Sequence, residues 1–181
     1  MSERFPLGIV VEGPSDRLFF KSQRRWFEEQ GFAFKIVQTR GRSIMIREAE
    51  NLLESFRLKG CRKVFFFLDQ HADVCPPFTA ERLKRVAHEE DVVICVIARA
   101  LEAWFVADEE AVARATGQSF KKQPTNALDK PKDILKELFK RGRHMSLTEI
   151  EMVRAICLYF SFERATEGNA SLRRFINKLQ G

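Results

Sequence analysis

Five consecutive apolar residues, Val64-Phe-Phe-Phe-Leu68, stand between Lys63 and Asp69. As a strand, the run is apolar on both alternating faces, and a sheet tolerates such a strand only where helices cover both of its sides. It predicts a central strand of a sandwiched sheet, and the neighbouring segments agree. Short apolar runs alternate with helix-period segments through the first hundred residues, the pattern of strand-helix units and a mostly parallel sheet.

Leu7–Val11 reads as the first strand. Pro14 and Ser15 open a helix whose expected apolar face is Leu18, Phe19, Ser22 and Trp26, with Gly31 just past its end. Phe32–Val37 is the second strand, and Thr39-Arg-Gly-Arg-Ser43 is a loop into a second helix. Met45, Ala49, Leu52, Leu53 and Phe56 mark that helix as amphipathic, and Gly60 stops it. Ala72–Pro77 is a loop, Thr79 is a cap for a charged helix over Ala80–Glu89, and Val92–Ile97 is the fourth strand. Beyond Ala98 the period turns helical, over Ala100–Ala107, Glu109–Thr116, Pro131–Arg141, Leu147–Phe160 and Ser171–Leu179. Gly117–Asp129 reads as the loop among them.

The chain has 181 residues, enough for one domain with a filled core, and 17 Phe supply apolar area without polar atoms needing partners. Its longest apolar runs fall far short of the roughly 20 residues of a membrane span. The opening Met-Ser-Glu-Arg-Phe-Pro enters a strand at once, so neither a signal nor a transit peptide is expected, and the expected location is the cytoplasm. Cys61, Cys75, Cys95 and Cys157 form no Cys-x-x-Cys pair and read as reduced thiols. A net charge of +6 inclines the protein toward polyanions without proving that it binds one.

Ligands of open parallel sheets bind beyond the carboxyl ends of strands, and those ends here carry acids. The first strand runs into Glu12-Gly13, with Asp16 in the next turn. The third ends in Asp69, followed by His71 and Asp73, and Glu102 comes soon after the fourth. Acids gathered within a few ångströms raise one another's pKa unless a cation neutralises them, so the set points to a hard divalent ion held by oxygen. Each acid also has a plain structural reading: Asp16 favours a helix N-terminus, Asp69 suits a turn, and Glu102 suits a solvated helix face. Gly13, lacking a Cβ, would let a phosphate or an ion approach the backbone.

Val10-Val-Glu-Gly-Pro-Ser-Asp16 and Phe65-Phe-Phe-Leu-Asp-Gln-His71 resemble the two motifs of the TOPRIM domain shared by topoisomerases, bacterial primases and OLD-family nucleases. Ala100-Leu-Glu-Ala-Trp-Phe-Val-Ala-Asp108, Lys130-Pro-Lys132 and Ser171-Leu-Arg-Arg-Phe175 extend the resemblance over nearly the whole chain, toward small TOPRIM-like proteins closest to the OLD nucleases. The resemblance implies a Rossmann-like α/β core of about four mostly parallel strands over residues 1–108. A helical extension, 109–181, would pack on that core as one compact unit.

It also implies that Glu12 is a metal-proximal acid or general acid/base and Asp69 a metal ligand. Asp16 and Glu102 become second-site acids, and Lys132 a residue near the centre. The family's second aspartate is His71 here, with Asp73 the next acid. Asp73 replaces it, or His71 ligates and favours Mn²⁺ over Mg²⁺, or the site is weakened; the residues leave these open.

Carboxylate-held ions of this kind serve phosphodiester hydrolysis, so the expected activity is that of a Mg²⁺- or Mn²⁺-dependent nuclease on DNA or RNA. The resemblance alone suggests a mobile-element or phage-defence setting. The alternatives are a decayed subunit that binds nucleic acid or protein, and a phosphatase or nucleotide hydrolase. Tyr159 is the only tyrosine and reads as packing rather than as a topoisomerase nucleophile. The cysteine spacing gives no primase zinc module. No Gly-x-x-x-x-Gly-Lys-Ser/Thr loop occurs, so an ATPase partner would be a separate chain. Arg40 and Arg42, flanking Gly41 at a strand end, are the favoured phosphate contacts. Lys121, Lys122, Lys130, Lys132, Arg173 and Arg174 are equally well explained as surface charge.

Overall fold

A computed structural model describes residues 4–70, 81, 83–84, 92–97, 99–121, 130–143 and 146–181. The chain divides into two compact units, Met1–Val96 and Ile97–Gly181.

In the first unit, strand β1 (Phe5–Val11) leads to helices α1 (Pro14–Ser22) and α2 (Arg24–Glu29), then to β2 (Phe32–Gln38). Helices α3 (Arg42–Arg47) and α4 (Ala49–Leu58) precede β3 (Lys63–Asp69), and β4 (Val92–Ile97) completes the sheet. The strand order is β2-β1-β3-β4, and β1 pairs in parallel with both neighbours, Ile9 opposite Ile36 and Phe65. This is the expected α/β, Rossmann-like architecture. Val64–Leu68 is buried throughout and lies inside the sheet, as its double-sided apolar pattern requires. The edge strands β2 and β4 are only part-buried.

The pleat sends alternate residues to opposite faces, and each face meets a different pair of helices. On one face Val10, Val64, Phe66 and Leu68 pack with Met45, Ala49, Leu53 and Phe56 from α3 and α4. Leu52, expected on that stripe, is only half-buried. The helix is also broken at Glu48, so its two pieces keep Met45, Ala49, Leu53 and Phe56 inward. Gly8 shares this face, where a Cβ would lie 2.8 Å from the Phe56 ring. Only a glycine lets α4 come this close to β1. On the other face the Phe20 ring meets Phe67 at 4.5 Å, and Phe27 meets Phe34 at 5.0 Å.

The expected apolar face of α1 needs correction. Phe19 is buried as expected, together with Phe20, Gln23 and, in α2, Phe27, whereas Leu18 and Trp26 are half-buried and Ser22 is exposed and donates to the Leu18 carbonyl at 2.9 Å. The same spacing i, i+1, i+4, i+8 begun one residue later fits the helical period equally well and carries more aromatic area, so it is the one buried. Most of the helix expected over Ala80–Glu89 lies outside the described residues; Glu81, Leu83 and Lys84 are helical, and Leu83 is buried.

The second unit is helical: α5 (Glu102–Phe105), α6 (Glu109–Thr116), α7 (Pro131–Arg143), α8 (Glu149–Cys157), α9 (Phe162–Gly168) and α10 (Ala170–Gln180). The helix expected over Ala100–Ala107 is one turn, because Leu101–Asp108 is buried at every position and no solvent face exists for an amphipathic period. Thr148 and Glu151 form a reciprocal cap that starts α8 at Glu149 rather than Leu147. Helix α9 was not expected. Its N-cap is Ser161, whose hydroxyl accepts from the Arg164 N–H at 3.2 Å. Trp104 stacks on Phe175 at 5.8 Å and donates its indole N–H to the Ser171 hydroxyl at 3.0 Å, which joins the 100–108 and 171–175 segments. Among the described residues no helix is long and apolar enough to cross a membrane.

Candidate functional site

The parallel register brings the carboxyl ends of β1 and β3 side by side. Glu12, the first residue beyond β1, turns its carboxylate toward the end of β3, where Oε1 accepts the Asp69 backbone N–H at 3.1 Å. The Glu12 side chain is 13% exposed. A carboxylate this sheltered needs a cationic or hydrogen-bonding neighbour, and Arg42 supplies one: its Nε lies 3.6 Å from Glu12 Oε1, and its Nη2 donates to the Asp69 carbonyl.

A tight loop puts Arg42 there. Thr39 is buried and extends the β1–β2 ladder, its N–H bonding the Val11 carbonyl at 3.0 Å. Its hydroxyl donates toward the Val11 carbonyl at 3.3 Å and the Gly41 carbonyl at 3.2 Å. Arg40 then takes φ +60° and Gly41 φ +115°, a reversal in which glycine is the one residue without strain. The Gly41 N–H reaches the Glu12 carbonyl at 3.1 Å, so Glu12 is held to the loop by its backbone as well as by Arg42. The exposed Arg40 side chain remains at the surface of this loop, as a phosphate contact would require. Arg42, expected to contact phosphate, is directed at Glu12 and Asp69.

Asp16 is buried in the first turn of α1, and its Oδ2 accepts the Gly13 N–H at 2.8 Å. The turn is therefore closed by the carboxylate itself, the helix-start role open to Asp16 from sequence. A Cβ on Gly13 would stand 3.3 Å from that oxygen, so a side chain there would crowd the cap. His71 and Asp73 lie outside the described residues.

Glu102 and Lys132 belong to the second unit. Glu102 is 6% exposed, and burial pushes its carboxyl above the ordinary value; the Glu149 charge adds to the rise, while its own backbone N–H, Lys132 and Lys136 oppose it. Lys132 Nζ is paired with the Glu149 carboxylate. Glu149 went unnoticed in the sequence because an acid in a helix's first turn needs no further explanation. Arg173, another surface cation, donates to the Thr166 and Glu167 carbonyls at 3.2 Å and caps the end of α9. Tyr159 carries Arg114 over its ring at 4.3 Å, which fits a packing role.

Glu12 and Asp69, at adjoining strand ends, provide the donor type that a hard divalent ion takes. The fit is one of kind: among the described residues no three His, Cys, Asp or Glu side chains gather closely enough to hold a metal.

No family model matches the chain, and no curated protein does. Among solved structures it is similar to the C-terminal region of the Burkholderia pseudomallei OLD protein, with a TM-score of 0.51 over 98% of this chain and 99% of that one. Sequence identity is 14%, so the likeness is one of fold, and it covers both the sheet-bearing and the helical parts of the chain.

Proposed function

We propose that the chain is a metal-dependent phosphodiesterase of TOPRIM nuclease type, acting on DNA or RNA with Mg²⁺ or Mn²⁺. The observation that carries the reading is the meeting of Glu12 with the end of β3, 3.1 Å from the Asp69 backbone nitrogen. The motif resemblance and the fold shared with part of an OLD protein agree with it. Glu12 and Asp69 would hold the ion, with His71 or Asp73 completing the donors. A bound ion of this class polarises a phosphoryl oxygen and lowers the pKa of a coordinated water.

The chain's own contributions are positional. Gly13 leaves the mouth of the β1–α1 turn without a side chain, and the cap from Asp16 keeps that turn closed. The Thr39-Arg-Gly loop holds the Glu12 backbone through the Gly41 N–H, and exposed Arg40 would meet a phosphodiester backbone. A separate ATPase chain as partner belongs to the same proposal.

One observation favours the rival reading of a non-catalytic binding subunit: Arg42 already stands beside Glu12. Labelled single-stranded and duplex DNA and RNA, incubated with the full chain and Mg²⁺ or Mn²⁺, distinguish the two. Glu12→Gln and Asp69→Asn should each lower metal-dependent cleavage by at least about 100-fold, the scale on which removal of charge-stabilising groups acts. Binding without cleavage in the unsubstituted chain would refute the nuclease assignment, and phosphate release from nucleotides alone would move it to small phosphate esters.

A further inference from the structure

Arg42 is an odd residue for its position. It is the first residue of α3, where the helix dipole disfavours a cation, and no acid occupies that turn to compensate. Its side chain is only 17% exposed, and among the described residues its buried Nε has no hydrogen-bond partner. Among the described residues its contacts fall on the two candidate metal-site residues: the Asp69 backbone carbonyl, which takes Nη2, and the Glu12 carboxylate, 3.6 Å from Nε. That contact exceeds hydrogen-bond length, so the pair is held mainly by charge.

We infer that Arg42 is a resident counter-ion that occupies the carboxylate site in the metal-free chain and must yield when a divalent cation enters. The inference rests on the proposed metal site and deepens it. Among the described residues the sheltered Glu12 carboxylate has one hydrogen bond, from the Asp69 N–H, and Arg42 adds the positive charge that balances it without metal. Guanidinium and divalent ion cannot both neutralise one carboxylate without repelling each other. A unit charge and a divalent ion a few ångströms apart shift affinity on the order of tenfold even under water-like screening. Arg42 therefore acts through Glu12, as a positioning residue that sets how much metal the site demands.

The test is Mn²⁺ titration calorimetry on the full, chelator-stripped chain, comparing the unsubstituted protein with Arg42→Gln, Arg42→Lys and Glu12→Gln. Arg42→Gln removes the charge, and at a helix N-terminus its loss does not weaken the helix; Arg42→Met repeats the test should the Gln variant fail to fold. The expected result is Mn²⁺ binding about tenfold tighter in Arg42→Gln, near-unchanged affinity in Arg42→Lys, and loss of binding in Glu12→Gln. If the unsubstituted chain binds Mn²⁺ through Glu12 while Arg42→Gln binds equally or more weakly, the counter-ion role is overturned and the metal site stands. If no variant binds, or Glu12→Gln binds as well as the unsubstituted chain, the metal site and the counter-ion role fall together.

Discussion

Asp108 is fully buried, and four donors converge on its carboxylate. The Ala111 N–H at 3.1 Å and Arg164 Nε at 2.7 Å bond Oδ1, while the Ser161 N–H at 2.8 Å and Arg164 Nη2 at 2.9 Å bond Oδ2. One side chain therefore caps α6, starts the turn into α9 and takes the guanidinium fork. Replacing it with alanine leaves two backbone N–H groups without acceptors, each costing about 1–3 kcal/mol when buried, and removes a paired charge. These contributions overlap, since the capping bond is one of the lost acceptors, so the expected destabilisation of Asp108→Ala is about 3–5 kcal/mol. Arg164 is 39% exposed and also bonds the Tyr159 carbonyl at 2.6 Å, so water can solvate it once its partner is gone.

The reciprocal change is expected to differ. Arg164→Ala removes the two guanidinium bonds to Asp108 and the one to the Tyr159 carbonyl and leaves both backbone donors on Asp108, at a cost of about 1–2 kcal/mol after allowance for solvent screening. Asp108→Asn, which still offers a capping oxygen, should fall between the two. Urea unfolding of the full chain, followed by circular dichroism, reads the ordering directly through midpoints at constant slope. Equal losses for Asp108→Ala and Arg164→Ala would show that the ion pair, and not the backbone donors, carries the energy, and a loss under about 1 kcal/mol for Asp108→Ala would show that neither does.

Two further changes test the packing of each unit. Gly8→Ala forces a methyl against the Phe56 ring at 2.8 Å and should destabilise by about 1–3 kcal/mol, seen as a lower thermal midpoint with the strand content retained. Burial raises the Glu102 pKa in the folded chain. Below the ordinary glutamate value of 4.5 the group is protonated folded and unfolded alike, and burial of the charge costs nothing. As pH rises the unfolded chain loses the proton first, so stability falls until the folded group ionises too. In chelator-containing buffer, Glu102→Gln should therefore be more stable than the unsubstituted chain at neutral pH and no more stable in acid, and a pH-independent difference would refute the assignment.

The sheet was legible because its signals are local and redundant. Val64–Leu68 admits one environment, and the strand at Val92–Ile97 needed only its apolar run. Where two readings shared a period, local information did not choose: Leu18-Phe19-Ser22 and Phe19-Phe20-Gln23 are both helical stripes, and only the ring of Phe67, 4.5 Å from Phe20, separates them. The one-turn Glu102–Phe105 helix departs from the expected length for a related cause, since Leu101–Asp108 is fully buried and its partners, Asn169 on the Ala103 carbonyl and Ser171 on Trp104, are distant in sequence. Helix α9 was hidden because Ser161 caps it without the acid three residues on that marks Thr148 and Glu151.

The site divides along the same line. The nearness of Glu12 and Asp69 could be read from two strand ends in a parallel sheet, since backbone topology alone enforces it. The neighbour that neutralises Glu12 cannot be read that way. Arg42 lies 30 residues after Glu12 and 27 before Asp69, and nothing in Thr39-Arg-Gly-Arg-Ser43 distinguishes an arginine that faces solvent from one that turns inward. The positive φ values of Arg40 and Gly41 make the distinction, because the reversal they create carries the chain from the surface back over Glu12 before α3 begins. A basic loop at a strand end is thus a statement about charge balance at the Glu12 carboxylate before it is a statement about phosphate: the Arg42 side chain turns to that carboxylate, and the Arg40 side chain stays exposed.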